Sequence, residues 1–272
     1  MNALLELGAD PNLQDAEGMT ALMEAARAPE GFEIAKAIVE AGAAIDLFSK
    51  TGVTALSMAA SGGNGPVIAL LLQHKADVNA LHEEGSTALM AAAEMISANN
   101  GSMSIIDALL SVGADVNVAR CAPGRVSDRE SGGAHSPQLS ARSPPLPLYR
   151  YDGLTALMAA AGQGSVKVVE KLIEAGADTT ITDSRGVSAC HMAAEVGGTD
   201  VVAALVRAGC DCTQMAESAI TPLIVAAAAG EEDMVRMLLP AHAPVHHSHL
   251  HSHLQIHTSM HTSTLRCACC SC

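Results

Sequence analysis

The sequence predicts an all-α repeat solenoid, a stack of helix-loop-helix units joined by short β-hairpin loops. Three observations carry this. One string, Gly-x-Thr-Ala-Leu-Met, occurs at Gly18, Gly85 and Gly153, with a near copy at Gly52 and looser ones at Gly186 and Ala219. A second string, Leu/Ile-x-x-Gly-Ala-Asp, ends at Asp10, Asp115 and Asp178, and in looser form at Ala44, Asp77 and Asp211. The apolar content is 49% but aromatics make up only 1%, which suits thin layers of closely spaced helices better than a core built on large rings.

The register follows from the hydroxyl residues Thr20, Thr54, Thr87, Thr155, Ser188 and Thr221, spaced by 34, 33, 68, 33 and 33 residues. Self-similarity at a fixed period of this size marks a repeat architecture. Each hydroxyl precedes a short Ala-rich helix such as 156–161. Alanine loses no side-chain entropy there and lets a neighbouring helix approach. A Gly-containing turn follows (162–164), then a second helix with Val166, Val169, Leu172 and Ile173 at helical spacing. Gly176 stops that helix and Asp178 opens the loop to the next unit. One such unit cannot bury its own apolar face, so neighbours must stack.

With two motifs recurring in fixed order at a period of 33 and Thr-Pro-Leu-His-like starts, the chain resembles the ankyrin repeat family over roughly residues 1–117 and 151–245. The resemblance implies an interaction scaffold with no enzymatic activity and no cofactor. Where family members often carry a His that ties adjacent repeats, this chain has Met23, Met90 and Met158, with His191 alone keeping it. Apolar packing is therefore expected to carry more of the stack.

The units divide as 1–12 (a truncated first repeat, matching only a second helix and loop), 13–46, 47–79, 80–120, 151–180, 181–212 and a degenerate last repeat at 213–245. Between Asp115 and Gly153 lie 30 residues more than between Asp77 and Gly85 or Asp178 and Gly186. Removing residues 121–150 restores the register. That segment is rich in Pro, Ser, Gly and Arg without an apolar period, and is expected to be disordered. Two readings of it stand: Arg142-Ser143-Pro144-Pro145-Leu146-Pro147 as a polyproline ligand, or a translated intron of in-frame length. The tail, 246–272, holds His246, His247, His249, His251, His253, His257 and His261 and ends in Cys267-Ala268-Cys269-Cys270-Ser271-Cys272. These are ligand types for Zn or Cu(I), which makes metal buffering a second function. Their spacing fits no defined zinc finger, however, and the tail is also expected to be disordered, so no metal ligand is assigned. A third function, an interaction fragment of a larger enzyme or channel, follows from the resemblance.

Other chemistry has a structural explanation. Gly62-Gly63-Asn64-Gly65 lacks the Lys-Ser/Thr of a phosphate loop and falls at the inter-helix turn. Cys190, Cys210 and Cys212 stand where other repeats have Leu, Ala, and Val or Thr, and read as reduced, small apolar residues. The opening Met1 to Glu6 has an acid where a secretion signal is basic, and the apolar run 219–229 is half a membrane span. A location in the cytoplasm or nucleus is expected, without membrane insertion.

The net charge is −14. The insert carries four Arg against two acids and the tail one Arg, leaving 10 basic and 27 acidic residues on the repeats, or −17. This opposes nucleic-acid binding, which requires a basic footprint, and points to a protein partner with a basic surface or segment. In family members the positions flanking the repeat Gly and those ending the first helix contact partners, on a concave face. The resemblance carries these roles to Glu17, Met19, Arg27, Lys50, Thr51, Glu83, Glu84, Glu94, Met95, Tyr151, Asp152, Leu154, Gln163, Ser184, Arg185 and Glu195.

Overall fold

Five of the six repeat hydroxyls do what their spacing implies, while Ser188 Oγ meets His191 Nδ1 instead. Thr20, Thr54, Thr87, Thr155 and Thr221 sit in extended backbone, and each accepts a hydrogen bond from the backbone N–H three residues on, at 3.2–3.3 Å. Such a cap satisfies one orphan donor and contributes about 1 kcal/mol. In a computed structural model describing residues 8–82, 85–95, 102–120 and 153–241, these caps open the inner helices of the stack. The inner helices are α1 (Ala21–Arg27), α3 (Ala55–Ser61), α5 (Ala88–Glu94), α7 (Ala156–Gly162), α9 (Ala189–Glu195) and α11 (Pro222–Ala229). They alternate with the outer helices α2 (Phe32–Glu40), α4 (Gly65–Gln73), α6 (Ser102–Ser111), α8 (Val166–Glu174), α10 (Thr199–Arg207) and α12 (Glu232–Ala241). The truncated repeat, the insert and the tail expected at 1–12, 121–150 and 246–272 lie wholly or largely outside the described residues.

Inner helices pack on inner helices and outer on outer, and each pair packs within itself. The small residues make this possible: Ala26, Ala59, Ala93, Ala160 and Ala193 are fully buried, so backbones meet closely. Between the two layers run Leu22, Leu56, Leu89 and Leu157 from the inner helices, with Ile38, Leu71, Leu109, Leu172 and Leu205 from the outer ones. Burying each of these large side chains contributes about 1.5–3 kcal/mol. Met23, Met90 and Met158, in the place of the family His, are about 1% exposed, in keeping with apolar packing there.

Polar ties also join the repeats. The side-chain oxygens of Asn12, Asp46, Asn79 and Asn117, all at one register position, accept from the N–H of Ala44, Asp77, Asp115 and Asp178 in the following loop, at 2.7–3.0 Å. At the same position further on stand Thr180 and Thr213, whose hydroxyls turn back to Asp178 and Asp211 instead. Asn64, in the Gly-rich turn, caps α4 and donates from its amide to Ala28 O at 2.7 Å. That turn is structural, as its register implies.

The hairpins are shorter than the sequence suggests. Among the described residues there are no strands, and pairing reaches only the isolated bridges Gln14–Thr20 and Thr182–Ser188. The turn bonds recur nonetheless. Asp15, Ser49, His82 and Asp183 each donate their N–H across the turn, to Met19, Val53, Ser86 and Val187, and their carbonyls accept from the repeat Gly. Arg120 and Gly153 make the same two bonds at 2.8 and 2.6 Å.

One repeat departs from the pattern that ends the outer helices. Gly42, Gly113, Gly176 and Gly209 adopt φ of +88° to +91° there, but repeat 47–79, the second when the complete repeats are counted from 13–46, has Lys75, held at φ +61°. A side chain in the left-handed region costs about 1–2 kcal/mol, partly offset by the lower unfolded-state entropy of a non-Gly residue. Lys75→Gly is therefore expected to raise stability by about 0.5 kcal/mol, read as a higher denaturation midpoint at unchanged m-value.

Candidate partner-binding face

The hairpin tips and the C-terminal ends of the inner helices lie along one face because the register repeats them. The tips are tied to one another: Lys50 N–H donates to Glu17 O at 2.9 Å, and Glu217 N–H to Arg185 O at 2.7 Å. The repeat glycines allow this. A Cβ on Gly18 would stand 2.7 Å from Lys50 N. The backbone of the candidate face is thus fixed at these tips before any partner arrives.

The sixteen residues expected to contact a partner separate into groups. Glu17, Lys50, Thr51, Gln163, Ser184 and Glu195 are exposed, with Thr51 Oγ1 hydrogen-bonded to Ser49 Oγ at 3.0 Å. Met95 is 41% exposed, and Met19 is half-buried against the core. Leu154 is a correction. At 4% exposure it belongs to the core, because its side chain packs among the buried residues there, whereas Met19 at the same register position is only half-buried. Glu83, Glu84, Tyr151 and Asp152 lie outside the described residues.

Several of the charges are already paired. Arg27 meets Glu24 at 2.7 Å, Arg185 meets Asp183 at 2.8 Å, and Glu94 meets Arg120 at 2.9 Å. Arg120 also donates from Nε to Ser86 Oγ at 2.8 Å. Among the described residues, Glu17, Glu195 and Lys50 make no ion pair, which leaves one net acidic charge on these positions. Three exposed apolar side chains were missed. Val196 (47%) holds the register position of Met95 and Gln163 at the end of an inner helix. Leu81 (51%) and Met215 (66%) share one position on the hairpins. Aligning every repeat position, instead of motif residues alone, finds all three.

A second group of side chains converges inside the fifth repeat. His191 Nδ1 lies 3.2 Å from Ser188 N and 2.9 Å from Ser188 Oγ, and Nε2 lies 3.2 Å from Ile220 O. Nδ1 accepts from the Ser188 N–H, which leaves the proton on Nε2 to reach Ile220. Burial holds the imidazole below its usual pKa. This is the family His tying two repeats. Beside it, Cys190 Sγ lies 2.8 Å from Cys210 Sγ and 2.6 Å from Cys212 Sγ, all three buried and free of disulfides. S–H donation from Cys190, then Cys212, draws Cys210 well below the usual thiol range. Read singly, these cysteines are small apolar residues; the structure adds that they meet.

A solenoid of stacked helix pairs, with a row of solvent-facing side chains repeated along one face, is a repeat scaffold. The chain matches the model for ankyrin repeats (3 copies) over residues 1–80, 22–120, 139–216 and 157–252, and it belongs to the ankyrin repeat family. It is 29% identical over 151 residues to the nuclear factor NF-kappa-B p105 subunit of Gallus gallus, covering 54% of this chain and 15% of that protein. It is 37% identical over 92 residues to the E3 ubiquitin-protein ligase KEG of Arabidopsis thaliana, covering 34% of this chain and 6% of that protein. The chain thus spans a small part of the relatives it matches. The human ASB11 ankyrin repeat domain superposes with a TM-score of 0.68 at 20% identity, over 90% of this chain and 93% of that domain, and so shares its fold. The ankyrin repeat is a general protein–protein interaction module. No helix among the described residues is long and apolar enough to cross a membrane.

Proposed function

We propose that the chain is a non-enzymatic scaffold that binds a basic or amphipathic-basic protein segment across repeats three to five. The contact lies on the face built from hairpin tips and inner-helix ends. The observation that carries this is the helix-end row: exposed Met95, Gln163 and Val196 at one register position, with Glu195, which makes no ion pair among the described residues, beside them. Apolar anchors next to an uncompensated carboxylate suit a partner that alternates apolar and cationic residues. Glu83, Glu84 and Asp152 add acidic charge to the same repeats on sequence grounds. The compartment proposed is the cytoplasm or nucleus, and nucleic acid is not the partner.

Charge complementarity acts mainly on association and is screened over about 8 Å at physiological salt. The anchors act mainly on dissociation. Reversal of Glu83, Glu84 and Glu195 to Lys is therefore expected to slow association several-fold at low salt, with the difference shrinking as salt rises. Met95→Ala with Val196→Ala, and separately Tyr151→Ala, should speed dissociation. Surface plasmon resonance against partners captured by the intact chain reads both rates. Partners indifferent to every one of these changes would move the contact to the outer helices or the tail.

A further inference from the structure

The three buried sulfurs of the fifth repeat use positions that the register fills with other residues everywhere else. At the position of Cys190 the other four close copies of the motif have Leu22, Leu56, Leu89 and Leu157; at that of Cys210, Ala9, Ala43, Ala76, Ala114 and Ala177; at that of Cys212, Pro11, Ile45, Val78, Val116 and Thr179. Three separate replacements, confined to one repeat, bring three ligand atoms within 4.8 Å of one another. They come from two elements, Cys190 from the first turn of α9 and Cys210 and Cys212 from the loop after α10, so folding the repeat assembles them.

We propose that Cys190, Cys210 and Cys212 form a three-sulfur binding site for a soft, three-coordinate metal ion, Cu(I). Thiolates select soft ions. The number of donors decides among those ions. Structural zinc takes four protein ligands, and among the described residues no fourth is at hand. His191 has both ring nitrogens engaged by Ser188 and Ile220. Asp183 bonds Arg185 and Val187, and Asp211 bonds Thr213. The cysteines are 0%, 7% and 4% exposed, leaving little access for water as a fourth ligand. A trigonal ion with metal–sulfur bonds of about 2.3 Å sets its sulfurs about 4 Å apart, so the cluster must open by a little over 1 Å. Cysteine in place of leucine at position 190 frees the room of two side-chain atoms for that movement. Each thiol that still carries a proton releases it to solvent as it ligates.

The test uses the full chain with Cys121, Cys267, Cys269, Cys270 and Cys272 changed to serine, so that the remaining thiols are the cluster and the histidine tail is common to every variant. Reduced, anaerobic protein is titrated with Cu(I) against a chromophoric chelator, and in parallel with Zn2+. The expected result is one Cu(I) per chain held against the chelator, a thiolate-to-copper absorption band, and a raised thermal midpoint. All three are lost in Cys190→Leu/Cys210→Ala/Cys212→Val, which restores residues that other repeats carry, and the band is lost in Cys212→Val alone. Equal copper uptake by the parent and the triple variant would overturn the site. So would a cluster that takes no copper and loses two hydrogens on mild oxidation, because that outcome assigns it to disulfide chemistry. Preference for Zn2+ over Cu(I) would overturn the three-coordinate assignment.

Discussion

Gly153→Ala is expected to destabilise the array by about 2–4 kcal/mol, against about 1 kcal/mol for Gly176→Ala. Both glycines have positive φ, +94° and +89°, so both substitutions carry the left-handed strain of an L side chain. They differ in what the new Cβ meets. At Gly176 nothing lies within 4 Å, whereas at Gly153 it would stand 2.7 Å from Asp183 Cα and 3.1 Å from Ser184 N. That is the backbone of the next hairpin, and it can yield only if the two repeats shift apart. Chemical denaturation of both variants gives the comparison. Equal losses would mean that the hairpins are not in close register across this junction.

Excising residues 121–150 is expected to stabilise the array by about 2 kcal/mol and raise its midpoint by several degrees. Thirty-two residues separate Arg120 from Gly153, where two separate Ser49 from Gly52 and Asp183 from Gly186. Going from 2 to 32 is four doublings of loop length, at about 0.6 kcal/mol each. The deletion leaves Tyr151-Asp152 as the two-residue tip, which matches the other hairpins. Thermal and urea melts of the two chains decide the matter; an unchanged or lower midpoint in the shorter chain would refute the register on which the repeat boundaries rest.

The fold was legible because the signals that set it are local and repeated. A Thr before an Ala-rich run caps a helix, and a Gly after an apolar run ends one, whatever the neighbours do. The candidate face was legible only in outline. Which charges remain free depends on rotamers and cross-repeat geometry: Glu94 is neutralised by Arg120, a residue 26 positions away that sits on a hairpin. Leu154 reads as exposed by its place beside the tip, but its side chain packs into the core. The Cys cluster was hidden for another reason. Each cysteine is an unremarkable small residue in its own position, and only the packing of α9 against the loop after α10 shows that the three positions adjoin.

The tie from Asn117 across the junction has a practical consequence. Its Oδ1 accepts from Asp178 N–H at 2.8 Å and its amide donates to Gly176 O at 3.2 Å, as Asn79 does to Asp115 and Gly113 one repeat earlier. The seam between these repeats is therefore closed at the end away from the hairpin tip, by bonds that do not run through the tip. The tip can be cut open and chain threaded through it while the seam stays shut. Hairpin tips of this array are thus ports for grafting. A reporter peptide placed between Lys50 and Thr51, where the Asp46–Asp77 tie closes the corresponding seam two repeats earlier, would ride on the scaffold without splitting it.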